Sequence, residues 1–281
     1  MFTLNCKGRS LVVDKPLVMG IINATPDSFY EGSRTKGVDA ILQKAEQMLN
    51  EGADILDIGG QSTRPGSEKI SVDEELKRVI DPIQAIWKRF PNSFISIDTY
   101  YSKVANESLA AGASIVNDIS GGSLDENMFS TIASLRVPYI LMHIKGTPQT
   151  MQENPHYDDI TKEVKNYFIE KLTTLQKAGV HDIIFDPGFG FGKTIAHNFE
   201  LLKNLPALQS LHRPVMVGLS RKSSIYKTLN VSADEALNGT TVLNTIALMN
   251  GANILRVHDV KEAKETVKLF LAYLKNKRTT E

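Results

Sequence analysis

Leu17-Val18-Met19-Gly20-Ile21-Ile22-Asn23 is a short apolar run that ends in a polar side chain, and the chain repeats that pattern to its end. Residues 54–58 contain Asp57 and deliver Gly59-Gly60-Gln61-Ser62-Thr63-Arg64. Residues 94–97 end in Asp98, 115–116 in Asn117-Asp118, 139–142 in His143 and 183–185 in Asp186. Residues 215–219 run into Ser220-Arg221-Lys222, and 254–255 into Arg256-Val257-His258. One such end means little. Eight together match a closed parallel barrel, whose active site is built at the C-terminal ends of its strands.

Helical spacing of apolar residues separates the runs, over 38–49, 71–90, 157–178, 196–208, 233–249 and 260–274. Ser71 with Glu74 resembles a capping box at the start of the second of these, and Pro82 is expected to kink or divide it. Gly52, Gly112, Gly179 and Gly251 each follow a helix and precede a strand, a joint that recurs in repeated βα units. Strand starts are about 34 residues apart, the size of one such unit. The expected fold is a single-domain α/β chain, a (β/α)8 TIM barrel with its core over about 15–275. Residues 2–13 are expected to form a short N-terminal hairpin that closes the barrel bottom, and the polar tail 275–281 is expected to fray. A doubly wound open sheet is the alternative, but normally carries fewer strands.

Composition narrows the function classes. The 281 residues hold 32 Lys plus Arg against 32 Asp plus Glu, so no global charge suits nucleic acid or a membrane surface. No run approaches the ~18 uncharged apolar residues of a membrane span, and no leader pattern opens the chain. A cytoplasmic protein is expected. The single cysteine, Cys6, cannot form an intrachain disulfide and is expected to act as a small buried hydrophobe. The six histidines lack paired ligand spacing, which argues against a transition-metal site. A Mg²⁺ bridging substrate phosphates and one or two protein oxygens remains compatible.

The strand ends divide by chemistry. Ser220-Arg221-Lys222-Ser223-Ser224 opens a helix after the seventh run, and Arg256 and His258 end the eighth. Barrels often hold a phosphate there, and two cations with three hydroxyls suit an anion. Asp57, Asp98 and Asp186 are carboxylates in apolar strands, where an acid needs a partner: Lys222, or N–H donors of a ligand. With Asn117, they suit a flat nitrogen heterocycle; an internal ion-pair network is the alternative. Asp186-Pro187-Gly188-Phe189-Gly190-Phe191-Gly192-Lys193-Thr194 fails as a nucleotide loop, because Pro187 and Lys193 stand where glycines belong. Its glycines are expected to fold a tight loop that presents Phe191 as an aromatic wall. Residues 23–29 and 59–66 are further Gly/Pro/polar loops at the same end, read as covers. His143 is expected to be a structural hydrogen-bonding residue.

Seven segments resemble the dihydropteroate synthase family, in order, from about Leu17 to Phe270. They are Asn23-Ala-Thr-Pro-Asp-Ser-Phe29, Asp57-Ile-Gly-Gly-Gln-Ser-Thr-Arg-Pro-Gly66, Ser96-Ile-Asp-Thr99, Asn117-Asp-Ile-Ser-Gly121, the 186–194 loop, Ser220-Arg-Lys-Ser-Ser224 and Arg256-Val-His-Asp259. The resemblance implies a (β/α)8 barrel that condenses 6-hydroxymethyl-7,8-dihydropterin diphosphate with 4-aminobenzoate, a folate-synthesis step and sulfonamide target. Asp98, Asn117, Asp186 and Lys222 would hold the pterin. Arg256, His258 and Thr63 would hold the diphosphate, and Asn23 would contact Mg²⁺. Arg64, Pro65, Phe191, Ser223 and the loop bearing Phe29 would shape the aminobenzoate site. Asp98, Asp186, Lys222 and Arg256 would carry an SN1-like substitution. The family also implies a homodimer through 233–249 and 260–274. Gln61, Ala24 and Tyr30 depart from the family pattern at positions without an assigned role. The rivals are a pterin-binding methyltransferase acting on methyltetrahydrofolate, which has no use for a diphosphate site, and a non-catalytic pterin-binding paralogue, which would have lost one of these groups.

Overall fold

The computed structural model describes residues 1–25, 34–62 and 67–275. Chain order begins with strands β1 (Phe2–Cys6), β2 (Arg9–Val13) and β3 (Leu17–Asn23). Strands and helices then alternate: α1 (Arg34–Asn50), β4 (Ile55–Gly59), α2 (Val72–Arg89), β5 (Phe94–Asp98), α3 (Ser102–Ala111), β6 (Ile115–Asp118), α4 (Met128–Leu135), β7 (Tyr139–Met142), α5 (Ile160–Lys177), β8 (Ile183–Asp186) and α6 (Ile195–Lys203). β9 (Met216–Val217), α7 (Ser223–Leu229), α8 (Leu237–Met249), β10 (Ile254–Val257) and α9 (Val260–Lys275) complete it.

Strands β3 to β10 form one sheet in the order β8-β7-β6-β5-β4-β3-β10-β9, with every pairing parallel. The two edges meet at a parallel bridge between Phe185 and Val215, and the Phe185 N–H donates to the Pro214 carbonyl at 2.9 Å. The barrel is nearly closed, as the eight sequence runs imply. Each βα return is the right-handed solution that places helices outside.

Strand periodicity of two then sorts the residues. Met19, Ile55, Ile115, Ile140, Ile184, Met216 and Ile254 belong to one buried cluster. It also contains Leu4, Cys6, Leu11 and Val13 of the β1–β2 hairpin, so the hairpin plugs the bottom of the barrel as expected. Its Lys7-Gly8 turn has positive φ at both residues (55° and 82°), which fits a two-residue turn matched to strand twist. Val18, Leu56, Ile58, Ile95, Ile97, Val116, Leu141, Phe185, Val217 and Leu255 belong to a second cluster, between sheet and helices. Two residues beyond the inward apolar layer stand Asp57, Asn117, Asp186 and Arg256. Asp98 follows Phe94 and Ser96 in the same way. The alternation that buries the bottom layer therefore turns the polar residues inward one layer higher.

Three helix expectations change. Pro82 does not divide α2 into two elements; it lies with Val79, Ile83 and Ile86 on the buried face of one helix. Ser71 caps α2 by accepting from the Glu74 N–H at 3.2 Å. The 196–208 segment breaks after α6 into a 3₁₀ stretch, Leu205–Leu211, with Pro206 at its start. The helix expected from 233 begins at Leu237.

Candidate active site

Arg256 is the hub of the barrel mouth. Its Nε donates to Asp57 Oδ2 and its Nη2 to Asp98 Oδ2, both at 2.6 Å. Asn117 Nδ2 donates to the same Asp57 oxygen at 3.0 Å. Asp57 is fully buried, and its Oδ1 has no hydrogen-bond partner among the described residues. That orphan acceptor faces a cost that a ligand donor would remove. Burial pushes the Asp98 carboxyl up to about 7, opposed by Arg256 and reinforced by Asp57, Asp118 and Asp186. Gly59 pairs with Asp98 in register, and a Cβ there would stand 3.5 Å from the Asp98 Cβ.

Asp186 and Lys222 form the other half. Asp186 Oδ1 accepts from the Gly188 N–H at 2.8 Å, and burial raises its carboxyl while Lys222 opposes. Burial brings the Lys222 ammonium down to about 8, with Asp186 opposing that fall. Lys222 Nζ donates to the Phe189 carbonyl and lies 4.7 Å from the centre of the Phe191 ring. The loop that carries both residues is tightly determined. Gly188 has φ +70° and a Cβ there would meet the His143 carbonyl oxygen at 1.9 Å; Gly192 has φ +64° and would meet the Lys145 carbonyl oxygen at 2.4 Å. Only glycine fits these two positions.

The loops after β9 and β10 are stapled together. The His258 N–H donates to Ser220 Oγ at 3.2 Å, while that hydroxyl lies 3.0 Å from His258 Nδ1. A hydroxyl accepting from the backbone can donate to Nδ1, which leaves the ring proton on Nε2. Burial and Arg256 bring His258 down to about 4, so it offers a neutral N–H donor near neutral pH. Arg221 corrects the sequence expectation of two anion-binding cations. Its guanidinium donates from Nε and Nη2 to the two Asp259 oxygens, both at 2.9 Å, and from Nη1 to the Asp234 carbonyl at 2.7 Å. At φ +54°, Arg221 turns its side chain into a structural pair and leaves Lys222 to the mouth.

Asp98, Asn117, Asp186, Lys222 and Arg256 thus share the C-terminal end of the barrel, linked directly or through Asp57 and the 186–194 loop. Ser223 starts α7 beside Lys222. Asn23 is exposed at the end of β3, in register with Gly59. Phe29, Thr63, Arg64 and Pro65 lie outside the described residues. No group of three His, Cys, Asp or Glu able to hold a metal occurs among the described residues. Gln61, the departure from the family pattern, is buried and donates to Tyr100 OH at 2.5 Å. Lys193, to which the sequence assigns no role, is buried against the same loop.

A family model described as pterin binding enzyme matches residues 19–258. Over 276 residues the chain is 45% identical to dihydropteroate synthase of Escherichia coli (strain K12), covering 98% of this chain and 97% of that protein. The chain belongs to the dihydropteroate synthase family. Solved dihydropteroate synthases agree in fold. That of Yersinia pestis, in a sulfonamide drug complex, aligns with a TM-score of 0.92 and 40% identity over 98% of this chain and 100% of that one. The Xanthomonas albilineans enzyme with 4-aminobenzoic acid aligns at 0.90 and 39% identity, over 97% of this chain and 98% of that one. The same enzyme with 7,8-dihydropteroate aligns at 0.87 and 37% identity, over 97% and 99%.

Proposed function

We propose that this chain condenses 6-hydroxymethyl-7,8-dihydropterin diphosphate with 4-aminobenzoate, giving 7,8-dihydropteroate and diphosphate in folate biosynthesis. The observation that carries this reading is the joining of Arg256 to Asp57 and Asp98 at one barrel mouth, with Asp186 and Lys222 opposite. Acids and cations stand side by side where a heterocycle would meet its leaving anion.

Asp98, Asn117 and Asp186 would accept from and donate to the edge of the pterin ring, and Lys222 would donate to it. The methylene C–O bond then breaks, with both electrons leaving on the diphosphate oxygen. Arg256 and the Nε2–H of His258 would stabilise that anion, together with Thr63. The buried carboxylates would stabilise positive charge left on the pterin methylene, in a site where such charges act strongly. The aminobenzoate nitrogen attacks the methylene with its lone pair and loses a proton. As a free arylamine it needs no strong base. Phe191, Ser223, Arg64, Pro65 and the loop bearing Phe29 would shape its site, where a sulfonamide would compete.

Asn23 would hold Mg²⁺. One exposed amide oxygen, with no acidic cluster among the described residues, fits an ion that takes its other ligands from water and a diphosphate. Mg²⁺ would neutralise charge on the leaving group. A cytoplasmic homodimer completes the reading. Val242, Ile246 and Met249 on α8 and Leu269, Tyr273 and Leu274 on α9 are exposed apolar residues suited to burial between two copies. No helix among the described residues is long and apolar enough to cross a membrane.

The test is to mix both substrates with Mg²⁺ and follow diphosphate and dihydropteroate. Expected are equimolar products that require both substrates. Methyl transfer from methyltetrahydrofolate, or pterin binding without turnover, would replace this reading with one of its rivals.

A further inference from the structure

Lys193 ends the loop that carries Asp186 and Phe191, and the chemistry above makes no use of it. The side chain is buried, at 3% exposure. Its Nζ donates to His143 Nδ1 at 3.0 Å, to the Gly188 carbonyl at 2.9 Å and to the Phe191 carbonyl at 3.0 Å. The His143 carbonyl lies farther off at 3.4 Å, so four acceptors surround the three N–H donors of an ammonium. No carboxylate lies within salt-bridge distance of it among the described residues. A buried lysine outside any ion pair is costly, and burial brings this amine well below its ordinary range, with Asp186 opposing the fall. An apolar chain of similar length would fill the same space. Only an amine supplies the three-way clamp.

The acceptors lie at the end of β7 and at two points of the loop after β8. Between those points, Phe189 offers the carbonyl that receives Lys222 Nζ. At the second point stands Phe191, whose ring faces the same ammonium. We infer that Lys193 is a positioning residue for the aminobenzoate side of the mouth. By clamping Gly188 and Phe191 to His143, it sets the Phe191 ring. This rests on the reaction proposed above and assigns that reaction a residue which never touches substrate.

The test compares Lys193→Met with the unaltered protein by two-substrate kinetics, thermal melting and hydrogen exchange of the 187–192 segment. Activity of the unaltered protein is measured first; its absence would sink the reaction, while the exchange result would still report on the clamp. In Lys193→Met, KM for 4-aminobenzoate should rise about tenfold, because a loop displaced by a fraction of an ångström misplaces the wall. KM for the pterin diphosphate should stay within about threefold, since Asp98, Asn117 and Asp186 keep their places. Exchange across 187–192 should quicken. Parallel rises in both KM values with a lowered Tm would reduce Lys193 to a fold-supporting role and overturn the inference, as would unchanged KM values. If Lys193→Met is insoluble, His143→Leu removes one acceptor and should give the same split at about threefold. Equal changes for both substrates would again overturn it.

Discussion

Replacing Arg256 by leucine would leave two carboxylates facing each other in the barrel interior. The guanidinium is one-fifth exposed, while Asp57 is fully buried and Asp98 is 9% exposed. Two contacts of 2.6 Å are lost together. Breaking a buried pair by removing one partner typically costs about 3–5 kcal/mol, because the remaining charge is uncompensated. Part of that cost should depend on pH. The Asp98 carboxyl is already raised from 3.8 to about 7. A carboxyl raised on folding binds its proton more tightly in the folded chain. It therefore costs stability as pH climbs from the unfolded value towards the folded one. Removing Arg256 takes away the largest attraction holding Asp98 down and extends that window upward. On Asp98's account, parent and variant should run together near about pH 6 and part above pH 7, by up to about 1.4 kcal/mol per pH unit. Urea unfolding at about pH 6 and about pH 8.5 measures the difference. A loss under about 1 kcal/mol at the higher pH, or the same loss at both, would refute the reasoning.

Other perturbations probe the chemistry. Asp186→Asn should lower kcat/KM by about 2–4 kcal/mol of transition-state stabilisation, and near-parent kinetics would remove it from the machinery. Activity should fall as pH rises through about 8, where Lys222 loses its proton, and a pH–rate profile without that limb would contradict its role. Asp259→Asn should raise KM for the pterin diphosphate by about three- to tenfold, through the linked loops after β9 and β10, with a stability loss of about 1 kcal/mol or less, since the pair is partly exposed; calorimetry and two-substrate kinetics separate the two effects.

The barrel was legible because eight apolar runs each carry their own stop, and the inward polar residues follow from counting by two along each strand. Asp57 shows where such counting ends. Its strand position marks a carboxylate turned inward, but its bonds to Arg256 and Asn117 join residues 199 and 60 positions away, which no local pattern encodes. Arg221 was misjudged for the opposite reason. Charge beside Lys222 looked like anion affinity, and only the backbone turn at φ +54° sends its side chain to Asp259. Pro82 was read from intrinsic propensity alone, and burial overrode it. Lys193 stands alone among glycines and phenylalanines, and its acceptors come from the ends of two separate strands, which no local pattern encodes.

The hairpin seals the bottom of the barrel, so among the described residues the interior opens at the other end. Whatever binds against Asp57 and Asn117 must pass the rim to reach them, and must pass it again to leave. Anything still seated at the rim traps what lies deeper. The sequence of arrivals and departures is thus constrained by twelve residues at the far end of the molecule that no substrate ever meets.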